Sequence, residues 1–478
     1  MEQKTGSFHR SLSLLDGTLL VIGSMIGSGI FIVSADMVRN VGSSGWLIAV
    51  WAITGLMTMT AAISYGELSG MFPKAGGQYV YLKESYNKLI AFLYGWSFFA
   101  VIQTGTIAAV GVAFAKFSGY FFPVLDLKEE NILLQIGKLT IYPAHVVAIA
   151  VIALLTYLNS RGVKEGKWIQ LVFTLSKLVA MFGLILCGFM LVKESFWSQN
   201  WVNPWNAMQE VKAAGGESSG LWANIDTITL LGAVAAAMVG SVFSSDAWNN
   251  VTFIAGEIRN PQKNIGLSLF LGTLTVTVIY ILMNLMYLNV LPLNGIAHAA
   301  QDRVAVAAAQ QLFGTTGPYL VAALIMISTF GCNNGLILSG ARVYHTMAQD
   351  GLFFKKAGTL NKNDVPQWAL WAQFVVAALL CLSGRYGDLL DMISFVVVLF
   401  YVLTIAGIFI LRRKRPDAPR PYKAFGYPFL PLLYILLGLS FCALLIVFKP
   451  QYTWPGLIIV LAGIPIYYFI QRGAAEAK

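Results

Sequence analysis

Charge is what this sequence has least of. Asp, Glu, Lys and Arg make up 11% of its 478 residues, against about 25% in soluble domains. That argues against the two or three soluble domains ordinary for this length. Cysteine and histidine are scarce too, at four each. Cys187, Cys332, Cys381 and Cys442 all sit inside apolar runs with no CxxC spacing, and the histidines form no metal-ligand pattern. A disulfide framework, a zinc site and a bound cofactor are therefore not expected. The short alternating strands of a transmembrane barrel are missing. No G-x-S-x-G, HExxH or Walker motif is present, so membrane catalysis and ATP-driven transport rank low. The polar start, Met1 to Arg10, has no small-residue cleavage site close after a short apolar run, and no cleaved signal peptide is expected.

What is there is hydrocarbon. Hydrophobic residues make up 57% of the chain, in runs of about twenty, the length that crosses a bilayer as a helix. Twelve spans are predicted, at residues 12–36, 45–70, 89–118, 141–160, 167–192, 226–256, 264–290, 316–346, 366–383, 388–411, 427–447 and 454–471. The net charge of +10 does not point to nucleic acid, because its distribution follows the loops. With the N-terminus inside, 22 of the 32 Lys and Arg fall on the cytoplasmic side, as retention of basic residues requires. Both termini are then cytoplasmic. The run Arg412-Arg413-Lys414-Arg415, followed by Arg420 and Lys423, reads as a topology anchor, with acidic lipid as the competing reading.

Spans 1 and 6 begin about 214 residues apart, spans 2 and 7 about 219, and spans 5 and 10 about 221. Five is odd, so a second set of five starts on the opposite face. The chain reads as one all-α membrane domain: an inverted repeat of spans 1–5 (12–192) and spans 6–10 (226–411), with two added helices (427–471). Two spans carry interruptions at corresponding places. Span 1 holds Gly23-Ser24-Met25-Ile26-Gly27-Ser28-Gly29-Ile30-Phe31, and three glycines in seven residues are costly for a helix. Close packing through small residues is the plain alternative. Span 6 holds Phe243-Ser244-Ser245-Asp246-Ala247-Trp248-Asn249. Paired interruptions in two halves point to a carrier's binding site. A broken helix offers N–H groups that suit a carboxylate and carbonyls that suit an ammonium. An α-amino acid is the simplest ligand with both. The backbone around Ser28, Gly29 and Ile30 is expected to meet the carboxylate, and carbonyls around Ile22 and Phe243 the amino group.

These residues carry a family likeness. Gly27-Ser28-Gly29-Ile30-Phe31 resembles the signature of the amino acid–polyamine–organocation transporters, as does Tyr65-Gly66-Glu67-Leu68-Ser69-Gly70-Met71-Phe72-Pro73, continuing to Ala75-Gly76-Gly77-Gln78-Tyr79-Val80-Tyr81. Ala247-Trp248-Asn249 with Gly256-Glu257 and Asn260-Pro261, and Arg420-Pro421-Tyr422-Lys423 with Gly426-Tyr427-Pro428, are similar to bacterial members of the L-type amino acid transporter branch. The resemblance implies the five-plus-five inverted-repeat fold, alternating access, a bacterial inner membrane, and sodium-independent amino acid transport, often by exchange. It places Ser24 and Ser28 in the substrate region and Phe243 as an aromatic gate; Gly27 and Ser244 are counted with the site as residues of the breaks, and Trp248 reads as structural around the break or as a contributor to the gate. The branch usually has an aromatic residue at 245 and glycines at 246 and 247, where this chain has Ser245, Asp246 and Ala247. Members that accept basic and neutral amino acids have Asp at that place. Mammalian relatives bond a heavy subunit through a cysteine after span 3. Residues 119–140 here contain none, so amino acids and lipids are the expected partners, without a disulfide-linked subunit.

Lys177 lies about ten residues from either end of span 5, too deep to snorkel. A lysine there costs roughly 2.5–3.5 kcal/mol on insertion scales, so it needs carbonyl partners. By the resemblance it stands where sodium-coupled carriers hold an ion; a structural cation and a proton-coupled one are the alternatives. Asp246 either attracts a cationic group or caps the second half of span 6. Glu67, Glu257 and Arg342 read first as interfacial charges at span ends, and second as a salt-bridge gate. The leading function is an amino acid exchanger. A proton-coupled symporter, a polyamine or organic cation carrier, and a channel or sensor on the same fold compete with it.

Overall fold

The computed structural model describes residues 10–476 except 127, 137–138, 213–217 and 384–385. The expectation for the polar start falls mostly on residues 1–9, outside the described residues. The chain is helical nearly throughout, since a backbone crossing hydrocarbon must satisfy its own N–H and C=O groups. Among the described residues, eleven helices are long and apolar enough to span a membrane. The segment expected as span 9 forms a shorter apolar helix, Gln367–Ser383, of 17 residues, about 26 Å at 1.5 Å per residue.

Local chemistry sets the boundaries. Span 1 starts with a capping box, in which Ser13 Oγ accepts the Asp16 N–H at 3.3 Å and the Ser13 N–H donates to Asp16 Oδ2 at 2.8 Å. Span 2 (Ser44–Met71) is capped by Ser43 and the first half of span 6 by Asp226. Spans 4 (Pro143–Arg161) and 7 (Pro261–Val290) open on proline, whose missing N–H is no loss at that position.

Three spans are irregular. Span 1 runs as Leu14–Met25, breaks, then resumes as Gly29–Ile32 and Ser34–Val41. Span 6 runs as Thr227–Ser244, breaks, and resumes as the single turn Asn250–Phe253. Span 3 joins Lys88–Ser97 to Gln103–Ser118 through the π-helical turn Phe98–Ile102, which no sequence feature announced. Span 5 is Val163–Met190, span 8 Gly317–Gln349, span 10 Tyr386–Lys414, span 11 Phe429–Phe448 and span 12 Pro450–Glu476. Between spans 2 and 3 lies a short helix, Gln78–Ser85. Two small antiparallel hairpins, Leu134–Ile136 with Leu139–Ile141 and Met208–Lys212 with Ser218–Asn224, are the only strands among the described residues.

The broken spans sit at the centre. The most apolar window of span 1 is 83% buried, against 33% in span 11 and 28% in span 12. Span 7 packs on spans 1 and 2, and span 8 on spans 3 and 5. Spans 11 and 12 lie at the periphery with Phe429, Leu436, Val447 and Phe469 exposed, the apolar surface a lipid-facing helix presents.

Part of the basic run after span 10 pairs within the protein while Arg413, Lys414 and Arg415 stay exposed. Arg412 donates to both Glu67 oxygens at 3.0 and 2.7 Å, Arg415 pairs with Glu84 at 2.7 Å, and Lys414 donates to the Ser85 carbonyl at 2.9 Å. Glu67 also accepts the Ala424 N–H. The reading of Glu67, Glu257 and Arg342 as interfacial charges is corrected. Arg342 Nε meets Glu257 Oε1 at 3.1 Å with side chains 0% and 3% exposed, so this pair is fully enclosed.

Candidate substrate site

The two breaks face each other because glycine lets them. A Cβ on Gly29 would stand 2.0 Å from Ser244 Oγ and 3.1 Å from Ser244 Cα, distances no real side chain tolerates. The start of the second half of span 1 thus lies against the end of the first half of span 6. Gly23 allows a second close approach: its Cβ would meet Gln170 Nε2 at 2.0 Å and Thr174 Oγ1 at 2.2 Å, which brings span 5 against span 1 one turn before the break.

Span 5 uses that approach. Lys177, 1% exposed, places Nζ 2.9 Å from the Gly23 carbonyl, 2.6 Å from that of Ile26 and 3.1 Å from that of Ser328 on span 8. Three N–H donors meet three carbonyls, two of them freed by the end of a helix. Ser328 Oγ donates to Ile26 O and Gly27 O, and Cys332 Sγ to Ser24 O at 3.0 Å. The Gly23, Ser24, Ile26 and Gly27 carbonyls at the end of span 1's first half are therefore met from spans 5 and 8.

A third anchor comes from span 7. The Tyr280 hydroxyl lies 3.0 Å from Met25 O and 2.9 Å from Ser244 O, so one side chain touches the last residue of both first halves. Tyr280, Asn284 and Tyr287 form a stripe at helical spacing: Ser34 Oγ donates to Asn284 Oδ1 at 2.8 Å, and the Tyr287 hydroxyl donates to Ile30 O at 3.2 Å. These residues were missed in the sequence. Their 4-and-3 spacing in an apolar run was the available signal.

The break in span 6 is held differently. Asp246 is buried and accepts the Tyr401 hydroxyl of span 10 at 2.5 Å. The second half of span 6 has Asn249 at its cap position with no side-chain capping bond, so Asp246 is not its N-cap. Ala247 adopts φ +63°, a conformation that costs a residue with a side chain about 1 kcal/mol or more. Trp248 packs edge-on against Tyr65, with centroids 4.7 Å apart, and lies 5.1 Å from Tyr401. Asn249 Nδ2 donates to Gln78 Oε1 at 2.9 Å. Asp246, Ala247, Asn249 and Asn250 border a cleft closed by Gln103 of span 3 and Tyr401.

Other expected residues are placed as follows. The Ile22 and Phe243 carbonyls each accept a backbone N–H, from Ile26 at 3.0 Å and from Asp246 at 3.2 Å, and the Ser245 N–H also approaches the Phe243 carbonyl. The side chain of Ser24 points to the scaffold: a Cβ on Gly335 of span 8 would stand 2.6 Å from its Oγ, which has no hydrogen-bond partner among the described residues. Ser28 and Phe243 are buried beside the breaks. Ser244 Oγ donates to Gly240 O. Gly29 and Ile30 begin a helical segment, so their N–H groups precede its first intrahelical acceptor, while the Phe31 N–H is taken by the Ser28 carbonyl at 3.1 Å.

A family model described as amino acid permease matches residues 12–469. The b(0,+)-type amino acid transporter 1 of Mus musculus is 27% identical over 477 residues, covering 98% of this chain and 89% of that protein. The large neutral amino acids transporter small subunit 2 of Mus musculus is 28% identical over 469 residues, covering 97% and 81%. The serine/threonine exchanger SteT of Bacillus subtilis (strain 168) is 27% identical over 479 residues and covers the full length of both chains.

Proposed function

The chain belongs to the amino acid permease family of the amino acid–polyamine–organocation superfamily, multi-pass membrane transporters rather than enzymes, and from that premise we propose that it exchanges neutral L-amino acids across the bilayer without sodium. Its two sets of five spans, 12–192 and 226–411, act as an inverted repeat that exposes the breaks alternately to each face. Both termini lie on the cytoplasmic side of a bacterial inner membrane.

The observation that carries this reading is the ammonium of Lys177 among the Gly23, Ile26 and Ser328 carbonyls. A fixed cation there supplies the positive charge for which a coupled sodium would otherwise be recruited. Beyond that charge, the N–H groups of Ser28, Gly29 and Ile30 take the substrate carboxylate. The carbonyls around Ile22 and Phe243 take its amino group. Phe243 closes over it, with Trp248 as the backing of that gate. Asp246 gives a cationic side chain an anionic partner, so lysine and arginine compete for the site.

The test is radiolabelled uptake into proteoliposomes, with and without internal amino acid, sodium and a pH gradient. Uptake that rises at least tenfold with internal amino acid and is indifferent to sodium is expected. Uptake driven by the pH gradient into empty vesicles would replace exchange with proton symport. The Asp246→Asn variant is expected to keep neutral exchange and lose competition by arginine.

A further inference from the structure

Away from the breaks, the largest cluster of charges lies on the face opposite the start of span 1, where the chain passes from span 7 to span 8. That connection, residues 291–316, holds the short helices Leu293–Ala297 and Val304–Phe313. Between them Gln301 and Asp302 take positive φ values of 53° and 60°. Two consecutive residues with side chains in this region are strained, so the surroundings must hold them there.

The surroundings do so from two sides. Asp302 Oδ1 accepts Arg39 Nη1 at 2.7 Å, and the same nitrogen meets the Ala297 carbonyl at 2.6 Å. Arg39 belongs to the last turn of span 1. The next residue turns the other way. Arg303 Nη2 lies 3.1 Å from Asp126 Oδ1 and 2.8 Å from the Lys116 carbonyl, with its guanidinium 4.6 Å from the centroid of the Tyr120 ring. Lys116 donates back to the Gln301 carbonyl at 2.5 Å. Residues 301–303 are thus fastened to the end of span 1 on one side and to the end of span 3 and its following loop on the other. Val304, Ala305, Val306, Ala308 and Ala309 behind them are buried, and their helix packs on Gly29–Ile32, the second half of span 1.

We propose that residues 301–303 are an ionic latch that holds the span 7–8 connection shut over the second half of span 1, and that the latch opens for this face of the site to meet water. The side chains of Arg39 and Asp302 are 25% and 42% exposed, unlike the enclosed Glu257–Arg342 pair on the other face. The Arg303–Asp126 pair is only 7% and 12% exposed, so salt acts on the Arg39–Asp302 half of the latch and barely touches Glu257–Arg342. The latch rests on the transporter reading only in treating this face as a mouth, and its test is read without transport.

The test is the rate at which a hydrophilic maleimide labels purified full-length protein carrying Ala309→Cys, a position 0% exposed on the inner side of the helix. The half-exposed native cysteine is removed as Cys187→Ser, and the parent without Ala309→Cys gives the background. Labelling is expected to rise at least tenfold on adding Asp302→Asn. It is expected to return to within threefold of the starting rate in the swapped pair Arg39→Asp with Asp302→Arg. Asp364→Asn, at an unrelated residue with φ 57°, should change nothing. Raising salt from 50 to 500 mM on the unaltered latch should speed labelling severalfold, which keeps the test open if a variant misfolds. Labelling indifferent to salt, or indifferent to Asp302→Asn in folded protein, overturns the latch. An equal rise with Asp364→Asn would show general loosening and overturns it as well.

Discussion

The two breaks are built alike and filled oppositely. Each ends a helix in the middle of the fold and leaves carbonyls without intrahelical donors. In span 1 those carbonyls are claimed by a cation and a hydroxyl from outside the helix, Lys177 and Tyr280. In span 6 an acid sits in the break and is claimed in turn by Tyr401. The first break is therefore tied to its neighbours through backbone, where a substitution in span 1 does not remove the acceptor. The second shares the Tyr280 hydroxyl through its Ser244 carbonyl but adds a side-chain tie at Asp246, and one substitution removes that tie. This difference makes span 1 the better candidate for the invariant part of the site and span 6 for the part that sets preference.

The comparison breaks most visibly at Lys177. Lys177→Ala removes the ammonium from three carbonyls, of which Ile26 O keeps the Ser328 hydroxyl, and leaves a cavity beside Gly23; exchange in proteoliposomes is expected to fall at least about 100-fold, close to 2.7 kcal/mol in barrier. Normal exchange by this variant would remove the ground for contrasting the breaks. Gly29→Ala comes next. Its new Cβ would sit 2.0 Å from Ser244 Oγ, and uptake is expected to drop about tenfold or more, the scale of an overpacked contact of about 1–3 kcal/mol. The double variant Gly29→Ala with Ser244→Gly should recover most of it, and failure to do so would show that proximity of the breaks is not what Gly29 provides.

Tyr280→Phe removes one hydroxyl from two carbonyls at once. A loss of about 1–2 kcal/mol is expected, seen as a five- to thirtyfold rise in the concentration of substrate that half-saturates exchange. An effect no larger than that of Tyr287→Phe would mean that bridging two breaks counts for no more than bonding one. Asp246→Asn is expected to change neutral exchange less than threefold while removing competition by lysine and arginine, measured as inhibition of alanine uptake. Ser24→Ala should have the smallest effect, under twofold on uptake, because its hydroxyl faces Gly335 and has no partner to lose. A large effect would place Ser24 on the substrate side after all.

The enclosed pair Glu257–Arg342 shows why reading charges along a chain is uncertain. Both residues lie near span ends, where charge normally meets water, and hydropathy carries no information about what covers them. Only packing of span 8 on the turn after span 6 encloses them. The basic run after span 10 shows the same limit. That Arg412 and Arg415 stand beside Glu67 and Glu84, more than 300 positions away, is seen only in the packed structure.

What the sequence determined by itself is whatever a single helix decides alone. Twenty apolar residues in a row cross hydrocarbon whatever their neighbours do, so the helical segments were readable within a few residues. Three glycines in seven weaken one span, and an acid flanked by serines marks another, so both interruptions were legible before any packing was known. Lys177 announced itself as too deep to reach water. What the tertiary structure alone decided is which group meets which. Tyr280, Tyr401, Ser328 and Cys332 are ordinary residues of apolar spans, and they acquire their roles because a carbonyl lies within reach on another helix. Such a pairing depends on the rotation and distance of two helices, quantities that no local pattern encodes. The π-helical turn of span 3, Phe98–Ile102, belongs to the same class, since its five residues carry no helix breaker.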